Sequence, residues 1–309
     1  MVGAGAVGSF FGAMLARAGH GVTLIGRAAH VRAIERDGLR LDMAGRVEVI
    51  RVAASVDLGA VRGADLVLFC VKSTDTDALA SSLVPHLGSG SVVLSLQNGV
   101  ENVATIARHL CQSVVVPAVV YVATAMPQPG SVKHHGRGDL VIGTPHTRAS
   151  AEPNIARTPQ DLVALFATAQ VPVRVSPDVT AELWSKLMVN CAYNAISGLA
   201  QATYAQMAAT ASIRELQQAV VREVVALAAA EHVNLPLAAA LQAMDRIAVA
   251  MPGQYSSTAQ DMARHKSTEI DHLNGFVARR GRELGVPTPV NHALHALVKL
   301  VEAGYGGTA

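Results

Sequence analysis

Lys186, Asn190 and Asn194 lie four residues apart in the run Glu182-Leu183-Trp184-Ser185-Lys186-Leu187-Met188-Val189-Asn190-Cys191-Ala192-Tyr193-Asn194. On an α-helix this spacing stacks the three side chains on one face. Asparagine is a poor helix former, costing up to about 0.7 kcal/mol against alanine, and no charged residue occurs between Lys186 and Arg214. A costly polar stripe on an otherwise apolar helix predicts the wall of a cleft rather than a solvated face. Lysine, with a reference pKa of about 10.4, brings a positive charge to that wall at neutral pH.

A second constellation opens the chain. Gly3-Ala4-Gly5-Ala6-Val7-Gly8 is a G-x-G-x-x-G pattern followed by helical spacing. The first glycine permits a tight turn, the second lets the backbone approach a pyrophosphate, and the third allows close helix packing. The helix N-terminus, with Ala6 and Val7, favours the anion. Dinucleotide sites selective for NAD carry an acidic residue about 20 positions on, yet the first Asp or Glu in this chain is Glu35. The next apolar run ends instead in Gly26-Arg27, with His30 and Arg32 close behind. A guanidinium there attracts a ribose 2′-phosphate that a carboxylate would repel. NADPH is therefore the expected cofactor, with Arg27 as its phosphate partner.

Further polar residues fall at the ends of apolar runs, where open α/β sheets bind ligands. Residues 66–71 run into Lys72, suited to neutralise an anion, and residues 92–96 run into Gln97-Asn98-Gly99. Helical spacing over residues 100–107 argues against an Asn-Gly hairpin, so Asn98 is read as a cofactor or substrate contact. In the second half, Ser257 with Gln260 fits a capping box and places a hydroxyl where a carboxylate can be met. Glu269 follows in Thr268-Glu269-Ile270-Asp271.

These residues need a scaffold. Near-continuous apolar runs at 22–25, 66–71, 92–96, 114–120 and 140–143 read as strands buried on both faces of a parallel sheet. Helical stretches at 7–18 and 76–83 alternate with them. Alternating β and α units predict a Rossmann-type doubly wound α/β sheet. Pro172 and Pro177 bracket one more short strand, and residues 152–159 read as an exposed loop. The rest predicts an all-α domain, with helices at 179–195, 212–231, 237–249, 257–284 and 291–302. We place the boundary at about residue 175, giving a cofactor-binding domain over 1–175 and a substrate and catalytic domain over 176–309. Only Met1 and Val2 precede Gly3, so the first strand is either truncated or lacks an N-terminal stretch.

Composition sets the outer bounds. Half of the 309 residues are hydrophobic and 16% are charged, ample for a large core. The net charge of +2, without basic blocks, gives no nucleic-acid footprint. No run reaches the roughly 20 apolar residues of a membrane span, and the glycine-rich start does not read as a signal peptide. Three scattered cysteines fit a reducing cytoplasm and suggest no metal site. The Ala-rich helices are compatible with a homodimer and equally with a core.

Taken in order, GAGAVG at 3–8, CVK at 70–72, QNG at 97–99, ELWxK…N…N at 182–194 and SSxxQD…TEID…NG at 256–275 resemble the ketopantoate reductase (2-dehydropantoate 2-reductase) family over nearly the whole chain. The resemblance implies NADPH-dependent reduction of a 2-oxo acid, with ketopantoate as the expected substrate. It implies Lys186 as general acid, Asn190, Asn194 and Ser257 as substrate contacts, Glu269 as helper of the lysine and substrate, and Lys72 and Asn98 lining the site. Two rival readings are another NAD(P)-dependent hydroxyacid dehydrogenase with a helical C-terminal domain, and a non-catalytic NADPH-binding regulator.

Overall fold

The glycine turn leads into α1 (Ala6–Arg17), and the chain then alternates short strands with helices. In order these are β1 (Thr23–Ile25), α2 (Ala28–Asp37), β2 (Leu39–Met43), β3 (Arg46–Ile50), β4 (Ala53–Ser55), β5 (Leu66–Phe69), α3 (Thr76–Leu83), β6 (Val92–Ser95), α4 (Asn102–His109), β7 (Val114–Ala125), β8 (Ser131–Ile142), α5 (Pro159–Thr168) and β9 (Val173–Val175). The computed structural model describes residues 1–88, 91–145 and 158–306. It divides into two units, Met1–Val179 and Thr180–Ala309.

Strands β5, β6 and β7 are parallel neighbours, and β1 pairs in parallel with β4. Val2 joins these two sets, since this one residue bridges in parallel to both Ile25 and Phe69. Val2 thus stands where the first strand of the doubly wound pattern belongs, in the central place from which the glycine turn departs. Side chains alternate into two cores. Leu68, Leu94 and Val116 join Phe10, Phe11 and Phe166 on one face, while Val67, Val93 and Val115 join Leu83 and Ile106 on the other. Burial on both faces is the physical reason these strands read as unbroken apolar runs.

The sheet departs from the sequence expectation at one edge. The run expected at 140–143 is the end of β8, a twelve-residue strand antiparallel to β7. A parallel return needs a crossover of a dozen or more residues, whereas residues 126–130 separate β7 from β8. Residues 131–139 of β8, with Lys133, His134, His135, Arg137 and Asp139, are too polar to show as a buried run. The antiparallel hairpin of β2 and β3, turning through Ala44 (φ 52°) and Gly45 (φ 75°), also goes unread in the sequence. Of the loop expected at 152–159, residues 152–157 lie outside the described residues. Thr158 and Pro159 open α5 through a capping box with Asp161.

The second unit is helical: α6 (Val179–Ala200), α7 (Tyr204–Ala209), α8 (Ala211–Ala230), α9 (Leu237–Ala250), α10 (Ser257–Met262), α11 (Asn274–Leu284) and α12 (Pro289–Ala303). Three neighbours clamp α6. Gln217 of α8 donates to the Ala192 carbonyl at 3.2 Å, and Asn274 of α11 to that of Cys191 at 3.1 Å. Tyr193 of α6 donates to the Met244 carbonyl of α9 at 2.9 Å. At the start of α12, the Glu223 carboxylate accepts from the backbone N–H groups of Val290 and Asn291 at 2.8 and 2.9 Å, the favourable sign for a helix N-terminus. The helix expected over 257–284 is broken in two. The chain turns at His265 (φ 51°), Lys266 N–H donates back to the Asp261 carbonyl, and Glu302 captures Thr268. Among the described residues no helix is long and apolar enough to cross a membrane, and no His, Cys, Asp and Glu group could hold a metal ion.

Candidate active site

Each glycine of the first turn meets a different physical demand. Gly3 has φ +93°, and a Cβ there would lie 2.7 Å from the Val71 nitrogen. The N–H groups of Gly3 and Ala4 both donate to the Ile25 carbonyl, at 3.1 and 2.8 Å. At Gly8 a Cβ would stand 2.2 Å from the Gly3 oxygen, so α1 lies on the turn only with bare backbone there. At Gly5 a Cβ would meet nothing within 4 Å. Gly5 is the N-cap of α1, no side chain caps the helix, and its first turn holds no acidic residue. A turn with an open outer face, followed by the N–H groups of Ala6 and Val7, is built to receive an anion. The residues present therefore fit a dinucleotide pyrophosphate.

Arg27 is exposed at the end of β1, at the N-cap of α2. The neighbouring Gly26 backs onto the turn, since a Cβ there would press on Ala4 Cβ at 2.8 Å. Its neighbour His30 behaves differently from a cationic companion. It is 4% exposed, and burial lowers its pKa. His30 Nδ1 accepts from the Gly130 N–H at 2.8 Å, which leaves the proton on Nε2 to be donated to Ser9 Oγ at 3.0 Å. Ser9 Oγ in turn donates to the Ala4 carbonyl at 3.3 Å. A neutral imidazole thus braces the glycine turn from behind. The sequence offered one signal for this role, a histidine three residues into an amphipathic helix.

Lys72 is half-buried just beyond β5, and Asn98 just beyond β6. These strands are adjacent and parallel, so their loops emerge side by side. Ser73 Oγ donates to the Asn98 carbonyl at 2.9 Å and ties the loops together. Gly99 has φ +91°, and α4 follows rather than a strand, as the helical spacing predicted.

In the helical unit, Lys186 and Asn190 are half-buried and Asn194 is 4% exposed. Trp184, Leu187, Met188 and Cys191 supply the packed side of the helix. Asn194 Nδ2 reaches Ser257 Oγ at 3.5 Å, which brings two of the expected substrate contacts together. The capping box expected at Ser257 and Gln260 is not formed. Ser256 is the N-cap of α10, accepting from Ala259 N–H at 3.0 Å, and its Oγ donates to the Asn194 carbonyl at 3.2 Å. With the cap supplied one residue earlier, Ser257 is released from that task. Gly198 lets α10 approach, because a Cβ there would lie 2.6 Å from Met262 Sδ.

Glu269 is half-buried at the start of a short 3₁₀ turn, Ile270–His272. The residues on either side of it are pinned to α12. Thr268 donates its N–H and hydroxyl to Glu302 Oε1 at 2.7 and 2.6 Å. Beyond Glu269, Asp271 meets His295 Nε2 at 2.6 Å and Lys299 Nζ at 2.9 Å. Burial opposes ionisation of Asp271, but the hydrogen bonds from His295 and Lys299 outweigh it and hold the carboxyl below its usual range. The cysteines are free, and burial pushes the Cys70 thiol up to about 12 and that of Cys191 higher still, so neither is a ready nucleophile.

Comparison with known proteins accounts for both units. The family described as Ketopantoate reductase PanE/ApbA matches residues 1–146, and Ketopantoate reductase PanE/ApbA C terminal matches residues 178–302. The 2-dehydropantoate 2-reductase of Halobacterium salinarum is 32% identical over 302 residues, covering 97% of each chain. That of Vibrio cholerae is 30% identical over 306 residues, covering 99% of this chain and 98% of the relative. Among solved structures, a PanE/ApbA family ketopantoate reductase from Ralstonia eutropha JMP134 matches with a TM-score of 0.89 and 51% identity, covering 99% of this chain and 98% of that one. D-mandelate dehydrogenase, in a ternary complex with NADH and anilino(oxo)acetate, shares the fold with a TM-score of 0.88 at 24% identity, over 99% of this chain and 98% of its own.

Proposed function

The chain belongs to the ketopantoate reductase PanE/ApbA family, and from that premise we propose that it reduces 2-dehydropantoate, a 2-oxo acid, to pantoate with NADPH, a step of pantothenate biosynthesis. The observation that carries the reading is the correspondence with curated 2-dehydropantoate 2-reductases over 97% or more of both chains.

NADPH, when bound, supplies the hydride for the C2 carbonyl. Residues 1–175 hold it. Gly3 and Gly8 shape the turn, Gly5 keeps its face open, and the amides of Ala6 and Val7 meet the pyrophosphate. Arg27 takes the 2′-phosphate, and Lys72 and Asn98 line the reacting end. Residues 176–309 do the rest. Lys186 gives a proton to the C2 oxygen as charge develops on it. Asn190, Asn194 and Ser257 hold the substrate's carboxylate and hydroxyl, with Asn98 as a further contact, and Glu269 orients the lysine or binds a substrate hydroxyl. The closeness of Asn194 to Ser257 supports their acting on one group. The small net charge of +2 argues for a small-molecule partner rather than nucleic acid, and the free thiols fit a cytoplasmic setting.

The test is NADPH consumption, followed by absorbance, against a panel of 2-oxo acids. We expect kcat/KM for 2-dehydropantoate to exceed that for unbranched and aryl 2-oxo acids by at least about tenfold, the scale on which pocket fit discriminates. Equal rates across the panel, or no oxidation with any member, would end the reading.

A further inference from the structure

Beneath Lys72 and Asn98 lies a one-way chain of buried hydrogen bonds. Ser73, Thr76, Ser95, Gln97 and Asn102 are each 5% exposed or less. Gln97 spends its amide nitrogen on the Val71 carbonyl at 3.1 Å and on Thr76 Oγ1 at 2.7 Å. Its own oxygen accepts from Ser95 Oγ at 3.1 Å. A threonine hydroxyl has one proton. Having accepted from Gln97, Thr76 donates it to Asn102 Oδ1 at 2.9 Å. That fixes which end of the Asn102 amide faces which way. Its nitrogen is turned toward Ser73 Oγ at 3.2 Å and the Asn98 carbonyl at 2.5 Å. Ser73 Oγ donates to the same carbonyl at 2.9 Å. The network therefore holds the residues on both sides of Lys72, through the Val71 carbonyl and the Ser73 hydroxyl, and ends on the Asn98 carbonyl.

We propose that Thr76 and Asn102 are positioning residues for the reduction: they hold the Lys72 and Asn98 loops in one fixed register, so that cofactor and 2-oxo acid meet side chains already in place. This rests on the roles given above to Lys72 and Asn98. A loop pair needing only to be packed would do as well with apolar side chains, because buried polar networks confer uniqueness of arrangement more than net stability. Uniqueness is what a site needs when its reacting groups must be held to within about half an ångström.

Thr76→Val keeps the shape and removes the hydroxyl. It leaves one of the two Gln97 amide N–H groups without its acceptor, the other still meeting the Val71 carbonyl, and frees the Asn102 amide to turn over. Thr76→Ser restores the link. We would measure Tm, the Kd for NADPH by fluorescence, and kcat and KM for 2-dehydropantoate. Two buried groups left unsatisfied predict a fall in kcat/KM of about 10- to 100-fold for Thr76→Val, with Thr76→Ser within about threefold of the parent. In an Asn98→Ala background the cost of Thr76→Val should shrink by at least about threefold, because coupled residues are not additive. Ser73→Ala, a smaller change, should cost about two- to tenfold through the one bond it donates, and it stands in should Thr76→Val not fold. A lowered Tm with unchanged kinetic constants, failure of Thr76→Ser to restore activity, or fully multiplicative costs with Asn98→Ala would each overturn the proposal. If Asn98→Ala is impaired and Thr76→Val and Ser73→Ala are not, the network loses its role while the site stands. If Asn98→Ala is silent, the reading of the site fails and takes the network with it.

Discussion

Asn194 of α6 places its side-chain nitrogen 3.5 Å from Ser257 Oγ of α10, across 63 positions of sequence. That distance is the outer limit of a hydrogen bond, so the two hold each other weakly. What they form is a pair of donors that can close on one acceptor. The pair exists because Ser256 caps α10 in place of Ser257 and anchors it to the Asn194 carbonyl. Asn194→Ala and Ser257→Ala should each raise KM for the 2-oxo acid by about 10- to 150-fold, the worth of about 1.5–3 kcal/mol for a hydrogen bond to a charged group. The double variant should cost less than the product of the two, read by a double-mutant cycle. Independent, multiplicative effects would mean that they serve different groups.

The glycine turn separates folding from binding. Alanine normally stabilises a helix over glycine, but at Gly8 its Cβ would meet the Gly3 oxygen at 2.2 Å. Gly8→Ala should therefore lower Tm by several degrees, about 2–4 °C for each kcal/mol in a chain of this size. At Gly5 the backbone is extended (φ −77°, ψ −166°) and the space beyond it is open. Gly5→Ala should leave Tm nearly unchanged and raise the Kd for NADPH by about tenfold or more, since a methyl now stands where the pyrophosphate must approach. Thermal melts with and without NADPH distinguish the two. Equal Tm losses would remove the distinction.

Arg27 stands exposed beside the turn, and no Asp or Glu precedes Glu35. A charge-assisted contact with a 2′-phosphate is worth about 1.5–3 kcal/mol. Arg27→Ala should then raise KM for NADPH by about 10- to 150-fold and change that for NADH by less than about threefold. An unchanged ratio of the two would assign the phosphate to another group.

Much of this was legible in the sequence for a physical reason. Strands buried on both faces write themselves as apolar runs, and Leu68, Leu94 and Val116 face one core while Val67, Val93 and Val115 face the other. Glycines needed for backbone approach write themselves as a spaced motif. The polar stripe on α6 showed because asparagine is expensive in an apolar helix. Other features left no such mark. The polar stretch of β8 pairs with β7 through backbone hydrogen bonds that do not depend on side-chain type. The break between α10 and α11 contains neither proline nor glycine, being made by Glu302, more than thirty residues on in the chain, capturing Thr268 at 2.6 Å. Networks such as Gln97–Thr76–Asn102 join positions whose nearness only the sheet creates. The part His30 plays could not be read from sequence, because its acceptor role depends on Gly130, 100 positions away.

Lys186 carries the chemical claim. Its half-buried position on α6, next to a packed side formed by Leu187 and Cys191, means that Lys186→Ala should disturb the fold little. Loss of a positioned general acid should cost about 10²–10⁴ in kcat, with the Kd for NADPH within about threefold of the parent because only a transition-state interaction is removed. Pre-steady-state hydride transfer with unlabelled and deuterated cofactor would show the chemical step slowed. A variant within threefold of the parent in kcat would relieve Lys186 of the role.

The cluster behind Glu269 makes the second unit sensitive to acid. Burial raises the carboxyl pKa of both Asp271 and Glu302, yet hydrogen bonds outweigh it and hold both below their ordinary values. His295 and Lys299 act on Asp271, and Lys299 and Thr268 act on Glu302. The unfolded chain, with ordinary carboxyls near about 4, therefore binds protons at pH values where the folded chain does not. Stability from these groups is complete above that range and is lost as pH falls through the lower folded values. Lys299 is held above its ordinary value by Glu302 and Asp271, so its share persists below about pH 10 and is lost only at higher pH. Asp271→Asn removes one acid-titrating partner. Its Tm at pH 7 should be lower than the parent's, and its further decline between about pH 5 and pH 3 shallower. Because Thr268 and Asp271 flank Glu269, kcat in the parent should fall along with this transition. Melting curves of parent and variant that decline in parallel from pH 5 to pH 3 would show that the cluster contributes nothing to the acid limb.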